Sequence, residues 1–193
     1  TPIKSSAASD VYKRQAVIER ARDSGVSKVF MPNIDDTTVE AMLNVCTAYK
    51  GYCFPMIGFH PTSVGADSLF RIYEMKKLLS GEHPFVAVGE VGMDLYWDKT
   101  YLKEQQKALD IQIQWALEYH LPLVLHCREA FPELFEVMEP YKKTELSGIF
   151  HSFTGTLEEA GQVLEYARFF FGINGVVTFK KSSLAEVLPH IPL

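Results

Sequence analysis

Short apolar runs alternate with longer segments of helical periodicity through most of this chain. The runs are Val29-Phe30-Met31, Phe54 to Phe59, Phe85 to Val88, Leu121 to Leu125, Ile149-Phe150 and Phe169 to Ile173. Most are apolar without alternation, the pattern of strands covered on both faces. Between them, Leu102, Gln106, Leu109, Ile113, Ala116 and Leu117 share one helical face, while Lys103, Glu104, Lys107 and Asp110 fall largely on the other. Further helices are predicted over 37–49, with Asp36 as cap and Val39, Met42, Leu43 and Cys46 inward, over about 67–79, and over 157–166. Six strands alternating with helices imply right-handed βαβ crossovers and a parallel sheet. A doubly wound sheet is the structural competitor. It usually carries a glycine-rich phosphate turn after the first strand, and Met31-Pro32-Asn33-Ile34-Asp35 is not one.

Polar residues at the ends of these runs change the picture. The runs lead into His60, Glu90, His126 and His151, at steps of 30, 36 and 25 residues, each about one βα unit. In a (β/α)8 barrel the carboxyl ends of the strands converge on one mouth, where catalytic residues sit. Imidazole and carboxylate donors on rigid strands suit zinc or a similar divalent ion with a position left open for water. Each residue taken alone has an ordinary structural reading, such as a hydrogen-bonded histidine or a carboxylate paired with lysine. Their recurrence at repeat spacing favours a site.

The chain has 193 residues, 47% of them hydrophobic, enough to bury one core. A closed (β/α)8 barrel typically takes ~250 residues. Nineteen basic against 24 acidic residues leave a formal charge of −5, which argues against a broad cationic surface for tight non-specific nucleic-acid binding. No apolar stretch approaches the ~18 residues of a membrane span. Cys46, Cys53 and Cys127 have no zinc-type spacing, and their odd number favours a reduced, cytoplasmic setting. Residues 1–15 lack amphipathic period and are read as a disordered, non-native leader, leaving 16–193 as one domain.

The segments Gly58-Phe59-His60-Pro61, Gly89-Glu90-Val91-Gly92-Met93-Asp94, His126-Cys127-Arg128-Glu129-Ala130 and His151-Ser152-Phe153-Thr154-Gly155 occur in this order. Together they resemble the TatD-like metal-dependent deoxyribonucleases, a branch of the amidohydrolase barrels. The departures are mild: Met93 stands where Leu is usual, and Glu129 where Asp is common. The resemblance implies an α/β fold, here an incomplete (β/α)8 TIM barrel lacking the first and last strands. It also implies two divalent metal ions (zinc, magnesium or manganese) and DNA or another phosphodiester as substrate. By position, Glu90 would bridge both ions, His126 and His151 would ligate one, and His60, Asp94 and Arg128 would contact the substrate or support the ligands.

The His-x-His pair of the family's first strand and the metal-binding Asp of its last strand, the expected general base, have no counterpart here. The fragment is therefore expected to bind metal weakly and to be inactive by itself. Two other readings stay open: the same metal barrel cleaving an amide, lactone or aminoacyl ester, and a binding barrel without chemistry. No obligate protein partner is evident. Tyr96, Trp97 and Tyr101 form either an aromatic wall of the mouth or a packed loop. Phe169-Phe170-Phe171 is read as core.

Overall fold

The computed structural model describes residues 14–180 and 182–192. The described residues begin with helix α1, over 14–23, followed by β1 (Val29–Met31), α2 (Val39–Ala48), β2 (Cys53–Pro55), α3 (Ser68–Lys76) and β3 (Val88–Asp94). It continues through α4 (Leu102–Glu118), β4 (Leu123–Arg128), α5 (Phe131–Met138), β5 (Gly148–Phe150), α6 (Leu157–Leu164), β6 (Phe169–Phe171) and α7 (Leu184–Val187). Helix α1 includes Arg14 and Gln15, with Gln15 Nε2 donating to Glu19 Oε1 at 3.0 Å one turn on. The expected leader therefore overlaps the helix by two residues, and its remainder, 1–13, lies outside the described residues.

All strand pairs are parallel. The strands form a β1–β2 pair and a β3–β4–β5–β6 sheet. A parallel bridge from Ile57 to Val88 and the bond from the Gly89 amide to the Ile57 carbonyl, 2.7 Å, join the two. Spatial order thus follows chain order from β1 to β6. A doubly wound sheet reverses direction at a switch point, whereas a barrel adds each new strand beside the last. The winding is that of a barrel.

Helix α4 shows how the core forms. Leu109 and Ile113 are fully buried, each contributing about 1.5–3 kcal/mol by leaving water. Gln106, expected inward, lies at the margin and bonds Glu136 at 2.9 Å. The buried polar positions are Gln105 and Gln112. Two other expectations also shift. Thr38, not Asp36, precedes α2, and Asp36 pairs instead with Arg71 of α3. β3 and β4 run past Glu90 and His126 to Asp94 and Arg128, because their pairing continues through Asp94↔Arg128. Helix α5 went unpredicted, while α6 starts in a reciprocal capping box between Thr156 and Glu159 that fixes its first turn.

Phe169 is buried, but Phe170 is 70% exposed and Phe30 on β1 is 56% exposed. Both line an apolar trough of about 460 Å³ inside the curve of the strands, with Met56, Val124 and Ile149, and with Glu90 and His151 at one end. No described helix is long and apolar enough to cross a membrane.

Candidate metal centre

The pairing register sets the site. Leu125 on β4 pairs with Phe150 on β5, so His126 and His151 follow at the same level on adjacent strands, and the His151 amide bonds the Leu125 carbonyl at 2.8 Å. On β3 the register shifts between Gly89 and Val91, leaving Glu90 as the unpaired residue of a bulge. A bulge re-aims a side chain. Here Glu90 Oε1 lies 3.3 Å from His126 Nδ1 and 3.0 Å from His151 Nδ1. Two imidazoles converge on one carboxylate oxygen.

Close backbone approach makes this possible. Gly92 sits at φ +141°, and a Cβ there would lie 1.9 Å from the His126 carbonyl oxygen. Only glycine accepts both the conformation and the contact.

Asp94, at the end of β3, is 3% exposed. Its Oδ2 meets His126 Nε2 at 2.8 Å and its Oδ1 accepts from the Tyr96 amide at 3.1 Å. The His126 ring is therefore gripped from behind by Asp94, with Nδ1 directed at Glu90. His60 lies beyond His126, their ring centroids 4.5 Å apart. Its Nδ1 accepts from the Thr62 amide at 3.2 Å, which caps the short turn Pro61–Ser63. Donors of His60, Glu90 and His126 all lie within 4.8 Å of one another. His151 joins them through Glu90, and Arg128, at the end of β4, stacks on Tyr96 at 3.6 Å from the ring centroid.

The ionisation states follow. Burial pushes the Glu90 carboxyl up, but hydrogen bonds from His126 and His151 outweigh it and hold the pKa at about 2. Burial pulls His126 down, and its bonds to Glu90 and Asp94 carry it above the ordinary histidine value. His60 drops to about 4 through burial and the neighbouring His126 charge, so it is neutral at pH 7. An anionic carboxylate with imidazole nitrogens around it is the donor chemistry of a divalent transition-metal site. The residues present fit such an ion.

Three buried amides support the site without having been visible in sequence. Gln112 Oε1 accepts from the Phe59 amide at 2.7 Å, and its Nε2 donates to the Phe59 carbonyl at 3.3 Å, beside His60. Gln105 makes the same pair of bonds to Asp94, at 2.9 and 3.0 Å. Asn33, after β1, donates to the Gly58 carbonyl at 2.8 Å. The two glutamines stand seven residues apart on one face of α4, and that spacing of polar residues on a buried stripe was the one available signal.

Strand winding and a histidine–carboxylate cluster at the strand ends define an α/β barrel with a metal-type centre. The chain belongs to the family described as TatD related DNase, which matches residues 5–193. Among similar proteins, a "3'-5' ssDNA/RNA exonuclease TatD" from Pantoea sp. (strain At-9b) is 32% identical over 181 residues, covering 93% of this chain and 69% of that protein. The "Uncharacterized metal-dependent hydrolase YabD" of Bacillus subtilis (strain 168) is 30% identical over 179 residues, covering 92% and 69%. The crystal structure of YJJV, a TatD homolog from Escherichia coli K12, superimposes with a TM-score of 0.80 at 26% identity over 93% of this chain and 69% of that one.

Proposed function

We propose that this protein is a metal-dependent hydrolase that cleaves phosphodiester bonds of nucleic acid. The observation that carries the reading is the convergence of His126 and His151 on one oxygen of Glu90. The similarity to a protein named as a ssDNA/RNA exonuclease and to one named as a metal-dependent hydrolase supports the substrate and the cofactor. Glu90, His126 and His151 would hold one divalent ion, and Glu90, with Oε2 outside these hydrogen bonds, would reach a second. Imidazole-rich donors suit zinc better than magnesium or manganese. When bound, such ions supply charge that polarises a phosphoryl oxygen and acidifies water.

The chain's own residues then divide the work. Asp94 acts through His126, fixing its ring with Nδ1 toward Glu90, where it would serve as a ligand to an ion. His60 is neutral, and with Nδ1 accepting from Thr62 its proton resides on Nε2, which donates to a non-bridging phosphate oxygen. Arg128, one strand position beyond Cys127, offers positive charge at the mouth for the substrate backbone. Three buried free cysteines favour the cytoplasm as the working compartment.

The test is release of nucleotides from an end-labelled oligonucleotide by chelator-treated protein after addition of Mn²⁺, Zn²⁺ or Mg²⁺. Metal-stimulated turnover should be slow, as the sequence leads one to expect, and Glu90→Gln should abolish it while weakening binding of the added ion at least tenfold. Equal cleavage in chelator, equal cleavage by the variant, or turnover of an aminoacyl ester with none of the oligonucleotide would overturn the proposal.

A further inference from the structure

Beside the metal centre lies a second recess, of about 490 Å³, between Pro61, Thr62 and Val64 on one wall and Trp97, Asp98 and Tyr101 on the other. Its size falls within the ~300–1,000 Å³ typical of small-molecule pockets. Asp94 and Gln105 complete the lining, so the recess touches the carboxylate that holds His126. No lysine or arginine lines it, and Asp98 does. Such a surface disfavours phosphate and admits a neutral flat group.

Trp97 is 72% exposed and Tyr96 46% exposed, three and two residues beyond Asp94. The indole therefore presents a broad aromatic face to solvent beside the site. It is also held in place. The Tyr96 and Trp97 rings meet edge to face at 4.8 Å, and the Arg128 guanidinium lies 3.6 Å from the Tyr96 centroid and 5.4 Å from that of Trp97. The Tyr96 amide is tied to Asp94, and the Thr100 amide to Asp98 at 2.8 Å, so the loop is pinned on both sides of Trp97. Little ordering cost remains for binding.

Resting on the nuclease reading, we propose that Trp97, braced by Tyr96 and Arg128, stacks an unpaired nucleobase next to the scissile phosphate. A base in a duplex has both faces covered by its neighbours, whereas a frayed or single-stranded base offers one to an aromatic ring. Trp97 is thus a specificity-determining residue for unpaired strands, and the recess receives the base while the metal centre receives the phosphate.

The chain has two tryptophans, and Trp115 is 1% exposed, so the quenchable indole is Trp97. The experiment titrates the metal-free protein with a single-stranded octanucleotide, an abasic strand of equal charge and a covalently closed circular duplex, reading tryptophan fluorescence. The base-bearing strand should quench and the other two should not. Trp97→Ala should weaken binding of that strand about tenfold, and Trp97→Phe should restore most of it. Quenching by the abasic strand or the duplex, or unchanged affinity in Trp97→Ala, overturns the proposal. Hydrolysis that proceeds equally on abasic strands would sink the platform and leave the hydrolase standing. Quenching without hydrolysis would do the reverse.

Discussion

Replacing Gln112 by Leu tests whether α4 holds the backbone in front of His60. The substitution keeps the side-chain volume and leaves the Phe59 amide and carbonyl buried without partners, since Gln112 supplies both contacts at 2.7 and 3.3 Å. A buried unsatisfied backbone group costs about 1–3 kcal/mol, so the pair predicts a loss of about 2–4 kcal/mol, the longer carbonyl contact weighing less. For a chain of this length each kcal/mol moves Tm by about 2–4 °C, giving a fall of roughly 5–15 °C. Gln114→Leu is the control, because Gln114 is on the same helix but exposed. It should stay within about 0.5 kcal/mol of the parent. Urea and thermal unfolding of chelator-treated protein read both. If Gln112→Leu unfolds with Gln114→Leu, the Phe59 contacts do not constrain the fold and the reasoning fails.

Two further outcomes follow from the site. Gly92→Ala forces a Cβ to 1.9 Å from the His126 carbonyl oxygen at φ +141°, and should cost more than about 3 kcal/mol, read as loss of soluble protein or a collapsed Tm. The stability of chelator-treated protein should pass through a maximum with pH. His60 takes up more protons unfolded than folded between pH 4 and 6.5, so stability rises across that window, and Glu90 adds stability that is lost as pH falls from about 4.5 through 2. His126 titrates above its ordinary value, so its contribution is full below about 6.5 and fades as pH climbs through the raised value. A urea midpoint that rises steadily from pH 4 to 9 contradicts that assignment.

The strand positions and the barrel class were legible because parallel strands covered on both faces are written as unbroken apolar runs, and the βα repeat spaces their ends. All six predicted strands are present among the described residues, the first with its predicted limits and the other five with shifted ones. Limits shifted where hydrogen bonding rather than side-chain polarity decides them. Glu90 breaks the apolar run but not β3, whose pairing resumes at Val91. The histidines and Glu90 were visible as residue types at a spacing. Their pairing was not, because it depends on a one-residue register shift that no periodicity encodes. Asp94 was legible as a contact of either the substrate or a ligand, because a carboxylate near a mouth carries no mark of burial, and the structure turns it toward His126. Gln105 and Gln112 were missed for the opposite reason. A polar residue on an apolar stripe reads as surface until its backbone partner is seen.

The site's five imidazole and carboxylate residues, Glu90 and Asp94 sharing one strand, arrive from four successive strand-and-turn units, spread from His60 to His151. No unit carries enough donors to retain an ion by itself, so capture requires several crossovers to be docked together. Occupancy and folding are then one linked equilibrium, in which free ion at a hundred times its dissociation constant adds about 2.7 kcal/mol to the native state. The amount of folded protein in a cell would follow the local supply of the ion, and starvation for it would show first as turnover of the chain rather than as an inactive but persistent one.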